Sequence, residues 1–137
     1  MTPKKYNVVI ADTSCFILLD KINQLELLQK IFGSVTTTQT IASEFIKPLP
    51  DWIAIESATN HHYSQLLEME IDKGEASAIA LALEKEHSLL ILDDNKARKL
   101  ASKLNLDYTG TLGIFFKRER DGNHFFHQTT IVANPTN

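Results

Sequence analysis

The chain has 137 residues, of which 43% are hydrophobic and 23% charged, and its formal net charge is -3. This length and composition predict a single globular domain, 1–137, and the negative charge argues against general, charge-driven binding to nucleic acid. The one cysteine, Cys15, excludes an internal disulfide framework and a cysteine-based zinc cluster. No apolar stretch is long enough to span a bilayer or to form a signal peptide, so we expect a cytoplasmic protein that does not associate with membranes.

Strand-like and helix-like patterns alternate along the chain. The predicted elements are a strand at 8–11, a helix at 16–32 that Ser14 can cap and Gly33 ends, a strand at 34–38, a helix at 40–47, a weak strand at 52–55, helices at 61–72 and 75–83 separated by Gly74, a strand at 89–92, a helix at 95–104, a strand end at 108–111 and a helix at 112–120. Such alternation predicts right-handed crossovers. The fold class is therefore α/β, a three-layer α/β/α sandwich around a mostly parallel central sheet.

Acidic residues follow two of the predicted strands at their carboxyl ends. Asp12 follows the strand at 8–11, and Asp93 and Asp94 follow the strand at 89–92. Ligands bind at this edge of an open α/β sheet, so adjacent strands would bring the three carboxylates together. Carboxylates that close repel each other unless protons or cations lie between them, and Mg²⁺ prefers oxygen ligands. The residues thus predict an acidic, metal-binding catalytic site.

Each acid also has an ordinary structural explanation. Asp12, and one of Asp93 and Asp94, can cap the helix that follows it. Glu75 would lie in the first turn of a helix, where the dipole favours a carboxylate. Glu44 lies at the border of an apolar helix face, a position typical of surface glutamates.

Basic residues are concentrated in one short part of the chain. Seven of the 14 Lys and Arg residues lie there: Lys96, Arg98, Lys99, Lys103, Lys117, Arg118 and Arg120. A basic surface beside an acidic site suits phosphodiester chemistry, and a solvated basic helix face explains the pattern equally well.

Five segments together carry a resemblance to a known family. They are IADTS at 10–14, IASEF at 41–45, GEASAIALA at 74–82, LILDDNKAR at 90–98 and TGTLG at 109–113. In this order they resemble PIN-domain proteins, particularly the branch related to the VapC-type toxins of prokaryotes. The sequence departs from that family after residue 120, so we divide the chain into a core at about 7–120 and a divergent segment at 121–137.

The resemblance implies a metal-dependent ribonuclease whose acidic cluster holds Mg²⁺ or Mn²⁺. By position, Asp12 matches the first acid of the family, Glu44 the second, Glu75 the third and Asp94 the fourth, with Asp93 beside it as a further metal ligand. The expected supporting residues are Ser14, which matches the hydroxyl that orients the first acid, and Thr13; the candidates for holding the RNA backbone are Lys96, Arg98, Lys99 and Thr111.

Three classes of function follow from these patterns. The first is a metal-dependent ribonuclease that acts on RNA, the toxin of a toxin-antitoxin pair, with an antitoxin that covers the site and a second copy in a homodimer. The second is a non-catalytic PIN-like module that binds RNA or protein. The third is a phosphohydrolase of the haloacid dehalogenase type, which is disfavoured because that chemistry needs an Asp where this chain has Ser14.

Overall fold

A computed structural model describes residues 6–114. Its elements are β1 Val8–Ala11, α1 Thr13–Lys21, α2 Glu26–Phe32, β2 Val35–Thr37, α3 Gln39–Glu44, β3 Ile53–Ile55, α4 His61–Leu67, α5 Lys73–Leu83, β4 Ser88–Ile91, α6 Asn95–Lys103 and β5 Asp107–Thr109. Residues 111–114 are again helical. The predictions for 115–137, which include most of the helix at 112–120, Lys117, Arg118 and Arg120, and the segment 121–137, lie outside the described residues.

The five strands form one sheet in the order β3-β2-β1-β4-β5, and all the neighbouring pairs are parallel. β1 lies at the centre, where Ile10 pairs with Thr36 of β2 on one side and with Leu90 of β4 on the other. The predicted α/β sandwich with a parallel sheet is therefore confirmed, and so is the adjacency of β1 and β4. The weak strand predicted at 52–55 is also confirmed, as the edge strand β3.

The core lies around the two central strands. Ile10 and Ala11 of β1 and all four residues of β4 are buried, as expected of strands covered on both faces. α5 packs against both strands and against α3, α4 and α6. Its alanines let it approach these neighbours closely and favour the helix itself. Within residues 6–114, no helix is long and apolar enough to cross a membrane.

Two helix predictions are corrected. The helix expected at 16–32 is two helices, because the chain turns after Lys21 and Asn23 adopts a left-handed conformation with φ 57°, which asparagine tolerates. Gly74 does not separate two helices, since it is the second residue of α5. The preceding helix instead ends at Leu67.

Candidate active site

The candidate site lies where the strand order changes direction. β2 and β3 lie on one side of β1, and β4 and β5 lie on the other, so the carboxyl ends of β1 and β4 border the crevice where ligands bind in folds of this type. The backbone N–H of Asp12 donates to the carbonyl of Ile91 at 3.3 Å, which extends the pairing of the two strands to this rim. Asp12 is thereby fixed beside the end of β4.

Asp12 is the N-cap residue of α1, yet its side chain does not form the cap. Its backbone carbonyl accepts the Cys15 N–H at 3.1 Å, while the residue is only 3% exposed. Burial raises the pKa of Asp12 to about 6, against the lowering effect of the Thr13 backbone N–H, and the charges of Glu44, Asp93 and Asp72 raise it further. The capping explanation for this carboxylate is therefore wrong.

Glu75 approaches the same rim from the first turn of α5 and is 9% exposed. Burial is the largest cause that raises its pKa to about 7, followed by the negative charges of Asp12, Asp94 and Asp72. The helix dipole alone would lower this pKa, so the dipole does not dominate the environment of the side chain. Asp12 and Glu75 thus form a coupled pair of carboxyl groups that titrate near neutral pH.

Glu44, the last residue of α3, contributes an exposed carboxylate to the same place. Its Oε1 accepts a hydrogen bond of 2.7 Å from the hydroxyl of Thr13. Its charge acts on Asp12, as the raised pKa of that residue shows. Glu44, the predicted second acid, is therefore close enough to Asp12 for their charges to interact. The fold brings it there from 31 residues beyond its hydrogen-bond partner Thr13.

Asp93 is held by the chain that follows β5. Its carboxylate accepts two hydrogen bonds from Thr111, at 2.9 Å from the backbone N–H and 2.7 Å from the hydroxyl. Arg98 Nη2 lies 3.7 Å from the same carboxylate, while Arg98 Nε donates to the Leu92 carbonyl at 2.8 Å. The guanidinium also lies over the ring of Tyr108, 5.6 Å from its centroid. These contacts fix Asp93 at the rim.

Asp94 caps α6. Its Oδ2 accepts the Ala97 N–H at 2.9 Å, so the expectation that one of the two adjacent acids is a cap is confirmed for Asp94. Its charge nevertheless raises the pKa of Glu75, whereas that of Asp93 raises the pKa of Asp12. The two neighbours therefore act on different members of the coupled pair.

An open groove of about 320 Å³ adjoins the cluster. Residues of the α4–α5 connection line it together with two acids of the cluster and one lysine: Glu68, Met69, Glu70, Ile71, Asp72, Glu75, Asp94 and Lys96. Its wall is mainly acidic, so it favours cationic groups.

Several predicted supporting roles change. Among the described residues no hydrogen bond joins Ser14 to Asp12, and it is Thr13 that binds an acid of the cluster. Thr111 is fully buried, so a surface contact with RNA is not available to it. Its role here is to hold Asp93.

The predicted basic residues fall into two groups, one with internal contacts and one exposed. Arg98 is occupied by internal contacts with Asp93, Leu92 and Tyr108. Lys96 and Lys99 are exposed on α6, and Lys96 borders the acidic groove. Of the four candidates, these two lysines present exposed cationic side chains on α6.

Three residues of the site were not predicted. Asp72 is the N-cap of α5, and the pattern Asp-x-x-Glu formed with Glu75 was a readable helix-start signal. Gly74 and Gly110 matter through the side chain that they lack. A Cβ at Gly110 would collide with Arg98 Nη2 and come within 3.2 Å of Asp93 Oδ1. Nothing in the residue pattern indicates that approach.

The donor chemistry of the rim fits a hard divalent cation, but the carboxylates are not arranged as a finished coordination sphere. Within residues 6–114, no three His, Cys, Asp or Glu side chains lie close enough together to hold a metal ion. Glu44, Asp93 and Asp94 accept hydrogen bonds from the protein. The backbone N–H groups of Thr13 and Asp72 lower the pKa values of Asp12 and Glu75 respectively, but burial and neighbouring negative charges outweigh them and raise both values. The rim therefore fits a divalent cation in its negative charge and its oxygen donors.

The hydrogen bonds of Thr111 lead to a stability prediction. Thr111→Val should lower the free energy of unfolding by about 1 kcal/mol, because the partly exposed carboxylate of Asp93 loses the hydroxyl donor that the buried Thr111 provides. Urea unfolding measures the loss. Thr36→Val, a change of the same atoms on β2 away from this rim, is the control and should cost much less.

Comparison with known proteins agrees with this architecture. The family described as the PIN domain matches residues 8–131. The chain belongs to the PIN-domain family. PIN domains are generally nucleases, so a nuclease-type hydrolase is the general role that the fold indicates. No curated protein matches the chain. The closer resemblance of this PIN domain to VapC-type toxins, and its division at residue 120, stay predictions.

Proposed function

We propose that this PIN domain is a metal-dependent ribonuclease that hydrolyses RNA phosphodiester bonds at the rim formed by Asp12, Glu44, Glu75, Asp93 and Asp94. The observation that carries the proposal is the coupling of Asp12 and Glu75. These carboxyl groups come from separate elements and are almost fully buried; burial is the main cause that raises both pKa values, and the charge of Asp12 raises the pKa of Glu75 further. Such an arrangement lowers stability when ionised, and a bound cation relieves it.

Mg²⁺ or Mn²⁺ is the cofactor that we propose. Asp12 and Glu75 would hold it, with Asp94, Glu44 and Asp93 as the further oxygen donors around them. When bound, such a cation lowers the pKa of a water molecule and neutralises charge on the scissile phosphate.

The chain's own groups contribute placement and proton exchange. Thr13 and Thr111 orient Glu44 and Asp93 through hydrogen bonds of 2.7 Å. Without a cation the Glu75 carboxyl has a pKa of about 7 and exchanges a proton near neutral pH, and it must give up that proton to hold a cation. The burial of Asp12 keeps bulk water away from its carboxylate.

Lys96 and Lys99 support a nucleic acid as the substrate class. Both are exposed on α6, whose N-terminus begins at the acidic rim, so they can contact backbone phosphates that extend from the site. The other nearby acids would repel a polyanion without this local positive charge.

The direct test is the incubation of labelled RNA with the purified chain and Mn²⁺, with and without EDTA. We expect cleavage that EDTA abolishes and that added Mn²⁺ restores. A single-stranded DNA of the same sequence is the control for substrate class. If the folded protein cleaves none of many RNAs yet binds them, the non-catalytic module is the better description.

The proposal extends to partners and cellular setting. We propose a toxin of a toxin-antitoxin pair that acts in the cytoplasm, with an antitoxin that covers the acidic groove. The wall of that groove supports a partner with cationic side chains. We also propose a homodimer, supported by the exposed apolar side chains Tyr63, Leu66 and Met69 around α4. Light scattering on the purified chain tests the dimer.

A further inference from the structure

Gly74 lies where a side chain would displace an acid of the candidate site. A Cβ built at Gly74 would lie 2.5 Å from Glu44 Oε1 and 3.2 Å from both Cδ and Oε2 of the same residue. The three nearest atoms all belong to one carboxylate. The absence of a side chain at Gly74 therefore leaves the space that the Glu44 carboxylate occupies.

Thr13 holds the same carboxylate by a hydrogen bond. Its hydroxyl donates to Glu44 Oε1, the atom nearest to the Cβ position of Gly74, at 2.7 Å. Oε1 thus lies close both to a hydroxyl of α1 and to the backbone of α5 at Gly74. The position of Glu44 is set by α1 and α5 as well as by its own helix.

A chain of hydrogen bonds fixes the distance between α3 and α5. The Ser77 hydroxyl donates to the Gly74 carbonyl at 2.7 Å, so the contact of 2.7 Å between Ser77 and Thr38 must use the Thr38 proton. Thr38 Oγ1 in turn accepts the Ile41 N–H of α3 at 3.1 Å. Because this chain ties Gly74 to the start of α3, the helix cannot withdraw freely, and Glu44 is the group that must move.

The backbone does not explain why glycine occurs here. Gly74 is not among the described residues with positive φ, and it lies in the first turn of a helix, where alanine has the higher helix propensity. Alanine would be compatible with the backbone and would favour the helix. The requirement is therefore one of space beside Glu44.

We propose that Gly74 is a positioning residue that, together with Thr13, places the Glu44 carboxylate at the rim facing Asp12. The expected effect of Gly74 on metal binding rests on the proposed function. The placement of the carboxylate itself does not depend on that function.

The test is Gly74→Ala, examined by calorimetric titration with Mn²⁺ and by thermal unfolding without metal. We expect the affinity for Mn²⁺ to fall about 10- to 100-fold, the range for lost support of a ligand. The melting temperature should be unchanged or higher, because alanine favours the helix. A fall in both affinity and melting temperature would show general damage to the fold and would overturn the inference.

A double-mutant cycle separates an effect through Glu44 from any other. In a Glu44→Ala background the collision partner is gone, so Gly74→Ala should change the Mn²⁺ affinity by less than about twofold. An undiminished loss in that background would overturn the inference. Gly33→Ala is the glycine control. Gly33 has φ +83° and nothing within 4 Å, so alanine should lower the melting temperature and leave the Mn²⁺ affinity unchanged.

The carboxyl ¹³C resonance of Glu44 provides a readout without metal. We expect Gly74→Ala and Thr13→Val each to shift it, and Gly33→Ala to leave it in place. If the wild-type protein binds no Mn²⁺ but the resonance shifts, the proposed function fails and the positioning role stands. If Mn²⁺ binds and Gly74→Ala changes neither affinity nor resonance, the positioning role fails and the proposed function stands.

Discussion

Asp12→Asn is expected to reduce RNA cleavage by about a thousandfold or more. Asp12 lies at the centre of the cluster, 3% exposed and close enough to Glu44 and Asp93 for their charges to raise its pKa. Loss of its charge would weaken cation binding, and a bound cation contributes several kcal/mol to the stabilisation of the transition state. Since about 1.4 kcal/mol corresponds to a factor of ten, the loss amounts to about three orders of magnitude. Cleavage of labelled RNA at saturating Mn²⁺ measures it.

The control for this variant is Asp20→Asn. Asp20 lies on the same helix, and its carboxylate pairs with Lys47 at 2.7 Å near the surface, so the change removes the same charge without touching the cluster. Its cleavage rate should stay within about twofold of wild type, as expected when only a surface ion pair is lost. Full activity of Asp12→Asn would remove Asp12 from the catalytic site and leave the general nuclease fold without an assigned centre.

The sequence predicts the part of the fold that depends on continuous apolar runs. The strands at 8–11 and 89–92 are recognisable because both faces of each are buried, and parallel pairing follows from the helices between strands. Because the two strands are parallel neighbours, the acids that follow them lie close together at the same edge of the sheet. This is why the residue pattern is enough to predict Asp12 and the Asp93-Asp94 pair at one rim.

Other features depend on single turns that periodicity does not register. Ile22, Leu25 and Leu28 continue a helical spacing through the break, so the left-handed Asn23 was invisible in the pattern. Gly74 was interpreted through its low helix propensity, although its actual importance is the space that it leaves for Glu44. Helix propensity describes only the local backbone preference of a residue. The role of Asn23 depends on a turn, and that of Gly74 depends on a neighbouring side chain.

The details of the candidate site depend on contacts between distant segments. Thr111 was a candidate for holding the RNA backbone, but β5 lies next to β4, and this pairing brings the Thr111 hydroxyl to Asp93. The same pairing places the Arg98 guanidinium over the ring of Tyr108. Residue type and spacing identify the acids, whereas the partner of each acid follows only from the strand order.

The metal-free protein is expected to lose stability as the pH rises, by about 3 kcal/mol between pH 4 and pH 8. The pKa of Asp12 is about 6 against a usual 3.8, and that of Glu75 is about 7 against 4.5. Below the usual values both groups are protonated whether folded or unfolded. Above them the unfolded chain ionises freely while the folded chain still holds its protons, so the free energy of unfolding falls until the pH exceeds the folded pKa values. Each pKa unit corresponds to about 1.4 kcal/mol, so the two shifts set an upper limit of about 6 kcal/mol, and about half of it is expected because water screens the charges at this open rim.

Urea unfolding at several pH values, with and without Mg²⁺, measures this slope. Glu84 acts in the opposite direction, because hydrogen bonds from the Thr59 and Asn60 backbone lower its pKa, so the reference is the double variant Asp12→Asn/Glu75→Gln. That variant keeps Glu84, and its stability should not fall as the pH rises.

Mg²⁺ competes with protons for the same carboxylates, so its stabilisation of the wild type should grow with pH and approach about 2.7 kcal/mol at a hundred times the dissociation constant. Equal slopes in wild type and double variant would mean that the two carboxyl groups do not share a charged cluster. A slope that disappears only in the variant, with no effect of Mg²⁺ on the wild type, would leave a coupled acid pair that binds no cation.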